Sequence, residues 1–550
     1  MVKLRLIITI YILNLYGVTV YGEEPPSKQG MVVSAHPLAS QIGVEILQQG
    51  GNAVDAAVAV MFALSVVEPW ASGLGGGGFM LIKMKNKPHS IVIDYRERAP
   101  LGAQPHLFYR DEEAFLHYAY TGHRSICVPG MVAGARTALT LNGTMDISEI
   151  LEPVIKLADE GFTVSANFNK IIVKYYNLVE RNRATSNIFL PDWLPLQKGD
   201  LLKREDLANV MQTLASKGLQ NFYSGEIAKQ LVSDIQMYDG LMTITDLISY
   251  KPITRTPIAA TYRGYEIVTT PPPGSGGAAL IQLLNILEKF NLNKLGFNSG
   301  DYIHVFIEAL KHVLNDRENY SYDPDFKRVD VNKYLSKPYS ATIRAKIDTQ
   351  QAQFVTVKSA PSKFESDNAS HVSIIDREGS VVTLTQTIDF YFGSGVTNQS
   401  YGILFNNGLF HFSQDSLHTN AIAPKKRSSS SMAPTLVLKD GSPFLVIGTS
   451  GASCTITTLA QVIVSIIDFN MTIEQAIAAP RFHYDKYEIQ LETRILSEAI
   501  DRLKKLGHKV SLKTDYHTYF GIAHGILIDQ KSGELLGAAD PRGEGDAVGY

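Results

Sequence analysis

The chain has 550 residues, 45% of them hydrophobic and 19% charged, with a formal net charge of -3. That balance describes an ordinary globular protein and gives no basic excess for binding a polyanion, which argues against nucleic acid as a partner. Two cysteines, Cys127 and Cys454, are too few for a disulfide framework; sequence leaves their pairing open, and each reads as a small buried hydrophobe.

Lys3 and Arg5 precede an apolar run from Leu6 to Leu13, and Val20-Tyr-Gly22 offers small residues ahead of the polar Glu23-Glu-Pro-Pro-Ser27. This is the pattern of a secretory leader over residues 1–22. A membrane anchor is the rival reading, but Asn14 and Gly17 shorten the apolar stretch below the roughly 20 residues a spanning helix needs. Secretion without a membrane anchor is therefore expected. It makes the sequons at Asn142, Asn319, Asn368, Asn398 and Asn470 candidate glycan sites.

His36 to Gln48 reads as a helix stopped by Gly50-Gly51, and Ala53 to Val67 as a second, buried on all sides because its alanines and valines allow close packing. The glycines of Gly73-Leu-Gly-Gly-Gly-Gly78 lead into an apolar strand without the Lys-Ser/Thr of a phosphate loop, so they predict a tight backbone approach. Residues 140–260 read as helical and polar, with no chemistry in them. Tyr262 to Thr270 reads as one strand, Ala278 to Phe290 and Asp301 to Asn315 as helices, and 329–367 as an exposed linker. His304 and His312 lie on the second of those helices without a completing cluster, so no metal or cofactor is expected.

The stretch from His371 to Thr387 holds two β-branched runs around Arg377-Glu-Gly379, a hairpin inside a buried sheet. Ser373, Thr383, Thr385 and Thr387 interrupt its apolar character, as ordinary strand residues or as a hydroxyl-lined face. Farther on, strands at Phe444 to Ile447 and His524 to Ile528 alternate with helices at Thr457 to Ile467 and Leu496 to Leu506.

Taken together, several blocks in one order resemble the gamma-glutamyltranspeptidase family. They are Gly51-Asn-Ala-Val-Asp55, Ser72 to Met80, Asp94-Tyr-Arg-Glu-Arg-Ala-Pro100, Val128 to Gly134, Tyr262-Arg-Gly-Tyr265 with Pro271 to Gly277, Phe392-Gly-Ser-Gly395, Gly402 to Asn407, Ser428 to Thr435 and the terminal Gly-Tyr. The resemblance implies an α/β fold, an αββα sandwich of the N-terminal-nucleophile hydrolase type, with a large-subunit-like region (23–368) and a small-subunit-like region (369–550) in one compact unit. It also implies a proenzyme that cuts itself before a threonine whose hydroxyl then attacks a gamma-glutamyl carbonyl, the freed amine serving as base.

Ala369 stands where that threonine is implied, in Ala369-Ser-His371. Ser370 is one residue along, and a slip of one residue in a strand moves a side chain to the opposite face, roughly 3.3 Å away. Thr387 is retained, while Asp389 replaces an implied asparagine, and Gly408 and His411 replace the implied acceptors of a substrate ammonium. Ala452 replaces the second glycine of an implied oxyanion pair, in which Gly451 is kept; its N–H still donates if its φ is not positive. Arg96, Ser430 and Ser431 match the implied carboxylate contacts and also read as an arginine paired with Glu97 or Asp94 and as turn serines.

These substitutions set the expectation of an uncleaved pseudoenzyme rather than an enzyme, with a binding role as a decoy, a partner of an active paralogue or a secreted factor such as a venom component. Its ligand would be a glutathione-like small molecule or a protein. The competing expectations are an active glutathione hydrolase or gamma-glutamyl transferase using Ser370 as a displaced nucleophile, and a structural or immune-interacting secreted protein.

Overall fold

In the computed structural model, residues 27–355, 368–485 and 487–550 are described. The leader expectation falls outside them, as does the 356–367 part of the expected linker. The earlier part of that linker carries two short helices, Asn332–Leu335 and Lys337–Arg344, in place of the expected irregular chain. Among the described residues no helix is long and apolar enough to cross a membrane.

Two β-sheets form the centre. The first has seven strands in the order Asp546–Gly549, Met31–Ser34, Ser370–Ile375, Val381–Thr387, Gly77–Lys83, Ile91–Asp94 and Ile253–Arg255. The second has six, in the order Leu535–Ala539, Ala523–Ile528, Ser442–Thr449, Thr435–Lys439, Tyr265–Thr269 and Ile258–Tyr262. All pairings within them are antiparallel. Met31, Val33, Phe79, Leu81, Val268, Leu436, Val446 and Ile526 fill the space between the sheets. The helices Pro37–Gln48 and Ala53–Val67 cover the outer face of the first sheet, and Ser275–Leu287, Gly300–Arg317 and Cys454–Ile467 cover that of the second. This is the αββα sandwich, with apolar side chains on both faces of each sheet. Chain from before and after Ala369 contributes strands to both sheets and interleaves in the first.

Local chemistry explains the elements. Asn52 caps the Ala53–Val67 helix in a capping box with Asp55, and all fifteen helix residues are buried, as their small side chains predict. The expected single strand over Tyr262 to Thr270 is two, because Arg263 and Gly264 both take positive φ (52° and 84°) and turn the chain into a tight hairpin. The glycine run behaves as read: a Cβ at Gly76 would lie 2.1 Å from the Thr387 carbonyl oxygen, and one at Gly78 would lie 2.2 Å from that of Thr385.

Along the Ser370–Ile375 strand, side chains alternate between two environments. Val372 and Ile374 pack into the helix-side core, while His371, Ser373 and Ile375 face the second sheet. His371 there lies 2.9 Å from Thr385 Oγ1, 3.1 Å from Ser373 Oγ and 3.3 Å from Thr383 Oγ1, so these hydroxyls line one face and serve a buried ring. Burial, with His524 nearby, holds that imidazole well below its ordinary pKa. A Cβ on Gly448 of the facing sheet would sit 2.1 Å from the His371 ring. Gly448→Ala is therefore expected to destabilise the fold by about 1–3 kcal/mol, as overpacking does, measured as a drop in the urea midpoint at unchanged slope.

Candidate active site

The head of the Ser370–Ile375 strand opens on a cavity of about 190 Å³. Its wall includes Asn368 and Ala369, Glu68 and Trp70 from the end of the Ala53–Val67 helix, His524, and Lys170, Lys174 and Tyr175. Lys170 and Lys174 sit one turn apart on the Ala166–Lys174 helix, and the Lys174 ammonium lies over the rings of Tyr175 (5.2 Å) and Tyr391 (5.8 Å). The reading that residues 140–260 carry no chemistry is corrected here: that helix supplies the positive charge of the cavity wall. Nothing in its polar, amphipathic sequence marks it out.

Ser370 points to the helix side. Its hydroxyl donates to Glu68 Oε2 at 2.7 Å and lies 2.9 Å from Ser72 Oγ, while Gln386 Nε2 donates to Ser72 Oγ at 3.1 Å. The side chain is fully enclosed, at 0% exposure, and does not line the cavity; Glu68 does. Burial pushes the Glu68 carboxyl up to about 8, opposed by the Ser370 hydrogen bond and reinforced by the like charge of Glu544. Sequence reading missed Glu68, which lies 302 residues from Ser370.

The peptide between Asn368 and Ala369 is held from two sides. Thr387 Oγ1 donates to the Asn368 carbonyl at 2.8 Å and receives the Asp389 N–H at 2.8 Å. Asn368 Nδ2 donates to the Trp70 carbonyl at 2.5 Å. Asn368 is thus a buried member of the site, and its reading as a glycan acceptor is corrected. So is that of Asn398, whose buried amide donates to Asp234, whereas Asn319 and Asn470 are exposed and Asn142 is half-buried.

Arg96 belongs to a separate buried cluster. Its Nη1 lies 2.8 Å from Glu97 and 3.1 Å from Asp389, and its Nη2 donates to Ser428 Oγ at 2.9 Å. His411 Nε2 lies 3.0 Å from the same Asp389 oxygen. Burial alone would lower the Arg96 pKa, but Glu97 and Asp389 outweigh it and hold the guanidinium above its ordinary value. Burial would raise Asp389, but Arg96 and His411 hold it low. The chain's own carboxylates therefore occupy the arginine, as the pairing with Glu97 anticipated; Asp389 was not foreseen in that role. The serine that reaches Arg96 is Ser428, whereas the Ser430 carbonyl accepts from Ser275 N (2.7 Å) and its Oγ receives Met432 N (3.2 Å). Ser431 places its carbonyl oxygen 2.0 Å from where a Cβ on Gly276 would stand. A Cβ on Gly408 would lie 3.1 Å from Cys127 Sγ, so a larger side chain there meets a packed wall. Cys127 and Cys454 are both buried, and no disulfide joins them.

Ala452 has a φ of 46° and Gly451 of 118°, so the condition set on the alanine is not met and this turn carries backbone strain. A third cluster, His304, Glu308 and His508, brings its possible ligand atoms within 4.8 Å. There His304 Nδ1 lies 2.7 Å from His508 Nε2, and Lys311 Nζ donates to Glu308 at 2.6 Å, so protein groups already satisfy one another. His508 lies 204 residues from His304, which is why sequence showed no cluster.

A gamma-glutamyltranspeptidase family profile matches residues 39–550. Over 95% of its length the chain is 40% identical to a glutathione hydrolase proenzyme of Escherichia coli (strain K12), covering 92% of that protein. Over 94% it is 35% identical to an acylase ACY 1 proenzyme of Pseudomonas sp. (strain SE83), covering 93% of it. A cephalosporin acylase crystal structure from Bacillus halodurans superposes with a TM-score of 0.87 at 28% identity, over 97% of this chain and 98% of that one. The fold and these matches define an N-terminal-nucleophile hydrolase scaffold. This chain belongs to the gamma-glutamyltranspeptidase family. The expectation that it leans away from being an enzyme is overturned, because its near full-length relatives are a hydrolase and an acylase by description.

The Glu68 shift has a stability consequence. With a folded pKa near 8 against an unfolded value of roughly 4.3, the folded state keeps a proton that the unfolded state has lost. The stability tied to this group is fully present below the unfolded value and drains away as pH rises through the folded one. Glu68→Gln is expected to remove that slope, so that its stability relative to wild type improves between about pH 5 and about pH 8 in urea unfolding.

Proposed function

We propose that this chain is an amide hydrolase that prefers acyl groups lacking an α-ammonium to gamma-glutamyl groups. The observation that carries the reading is Glu68, a carboxylate with a raised pKa, at a cavity wall beside Ala369 and anchored by Ser370. The scissile carbonyl enters this cavity. Ionised Glu68 takes a proton from a water molecule as its oxygen adds to the carbonyl carbon; the C–N bond then breaks and the amine leaves with the proton returned by Glu68. Water thereby does the work for which Ala369 has no hydroxyl.

Charge supports the substrate class. Gly408 has no side-chain acceptor, and the His411 ring is engaged with Asp389, whose carboxylate also pairs with Arg96. Lys170 and Lys174 supply positive charge for an anionic group on their side of the cavity wall, across which Glu544 is the opposing carboxylate. Relatives described as an acylase and as a glutathione hydrolase support the amide-hydrolase part of the reading. A second reading puts attack on Ser370 Oγ, favoured by its hydrogen bond to the same carboxylate. Residues 1–22 as a leader would place the reaction outside the cell.

Glutaryl-p-nitroanilide and gamma-glutamyl-p-nitroanilide differ only in the α-ammonium. The glutaryl compound is expected to show at least about tenfold higher kcat/KM, and Glu68→Gln is expected to lower it by about 100-fold. Retained activity in Ser370→Ala selects water over the serine. No release from either compound above buffer, or full activity in Glu68→Gln, overturns the reading.

A further inference from the structure

Ala369 supplies no nucleophile for a cut in front of it, yet the peptide bond at that point is held as a reacting group would be. The Asn368 carbonyl oxygen accepts a hydrogen bond from Thr387 Oγ1 at 2.8 Å. That donor lies where negative charge would develop on the oxygen if the carbonyl carbon were attacked. The Thr387 hydroxyl is itself fixed by the Asp389 N–H at 2.8 Å, so the donor is preorganised. The residue carrying that carbonyl has its own nitrogen: Asn368 Nδ2, tied at 2.5 Å to the Trp70 carbonyl within a buried side chain. A hydrogen bond from an amide N–H to a carbonyl enriches electron density on the nitrogen, which favours its attack on a carbonyl carbon. The following residue is small, so the departing strand head meets little steric resistance.

We propose that Asn368 cleaves its own peptide bond to Ala369, by cyclisation of its side chain. Nδ2 attacks the backbone carbonyl carbon of Asn368, forming a C–N bond that closes a five-membered ring. The oxyanion that develops is held by the Thr387 hydroxyl. The bond from that carbon to the Ala369 nitrogen then breaks; the proton released by Nδ2 ends on the departing Ala369 amine, and the upstream fragment ends in a succinimide. No water is consumed and no co-reactant is needed. The bond that opens is the one at which the family resemblance implies a threonine-driven cut, reached here by a different nucleophile. The product exposes the Ala369 α-amine at the cavity wall, a group that titrates near 7.7–8.0 in ordinary surroundings.

The test is independent of substrate turnover. Purified full-length protein is incubated at neutral pH, and intact masses and amino-terminal sequence are followed with time. The expected result is a new amino terminus at Ala369, with the two initial fragment masses summing to the intact mass without added water, and an upstream fragment that later opens to asparagine and isoasparagine carboxyl termini. Asn368→Gln, which must close a larger ring, and Asn368→Asp should both stay whole. Thr387→Val should slow the cut by about 100-fold while circular dichroism reports the same fold. A chain that stays intact overturns the proposal, as does deamidation of Asn368 without a cut. A cut whose fragments carry an added water, or one that begins at Ser370 or elsewhere, also overturns it.

Discussion

Alternation along one central strand governs this molecule. Ser370–Ile375 is flanked on both sides by partners in the seven-stranded sheet, so its register cannot slip without turning every side chain to the wrong layer. With the register held, Ser370 joins the helix-side network of Glu68 and Ser72, and His371 enters the space between the sheets among three hydroxyls. Ala369, one step before the strand begins, is left at the cavity. The Gly76 and Gly78 approaches to the neighbouring strand and the bare Gly448 opposite His371 are the complements that make this register fit.

The two polar centres differ in character because they differ in access. Arg96, Glu97, Asp389 and Ser428 are buried and joined through the Arg96 guanidinium, which makes breaking any one of these pairs costly. Glu68 is buried enough to have its pKa raised yet contributes to a cavity wall, and a carboxylate in that position can exchange a proton with something that enters. The same contrast separates Ser370, enclosed and useful as an anchor, from Ala369, which lines the cavity with an inert methyl side chain.

Much of the architecture was legible in the sequence. The small-residue run from Ala53, the glycine run ending at Gly78 and the β-branched hairpin from His371 each carry their own local signal, and all three appear where read. The split of Tyr262 to Thr270 into two strands turned on positive φ at Arg263, which propensity does not mark. The site was harder. Arg96 with Glu97 is a neighbour pair and could be seen; Glu68 with Ser370, Asp389 with Arg96 and the Ala166–Lys174 helix at the cavity are long-range juxtapositions that only the fold creates. Weighing Ala369 together with Asp389, Gly408, His411 and Ala452 led towards a non-enzyme because it treated departures from the implied motif as the loss of all chemistry at the site.

The central claim is that Glu68 acts as the base at this cavity. The most direct measurement is the pH dependence of kcat for hydrolysis of the anilide by wild type and Glu68→Gln. The account predicts a wild-type rate that climbs with pH through an inflection near 8, where burial places the carboxyl, and a variant that lacks the inflection. A wild-type profile with no inflection there, or one that the variant reproduces, would contradict it.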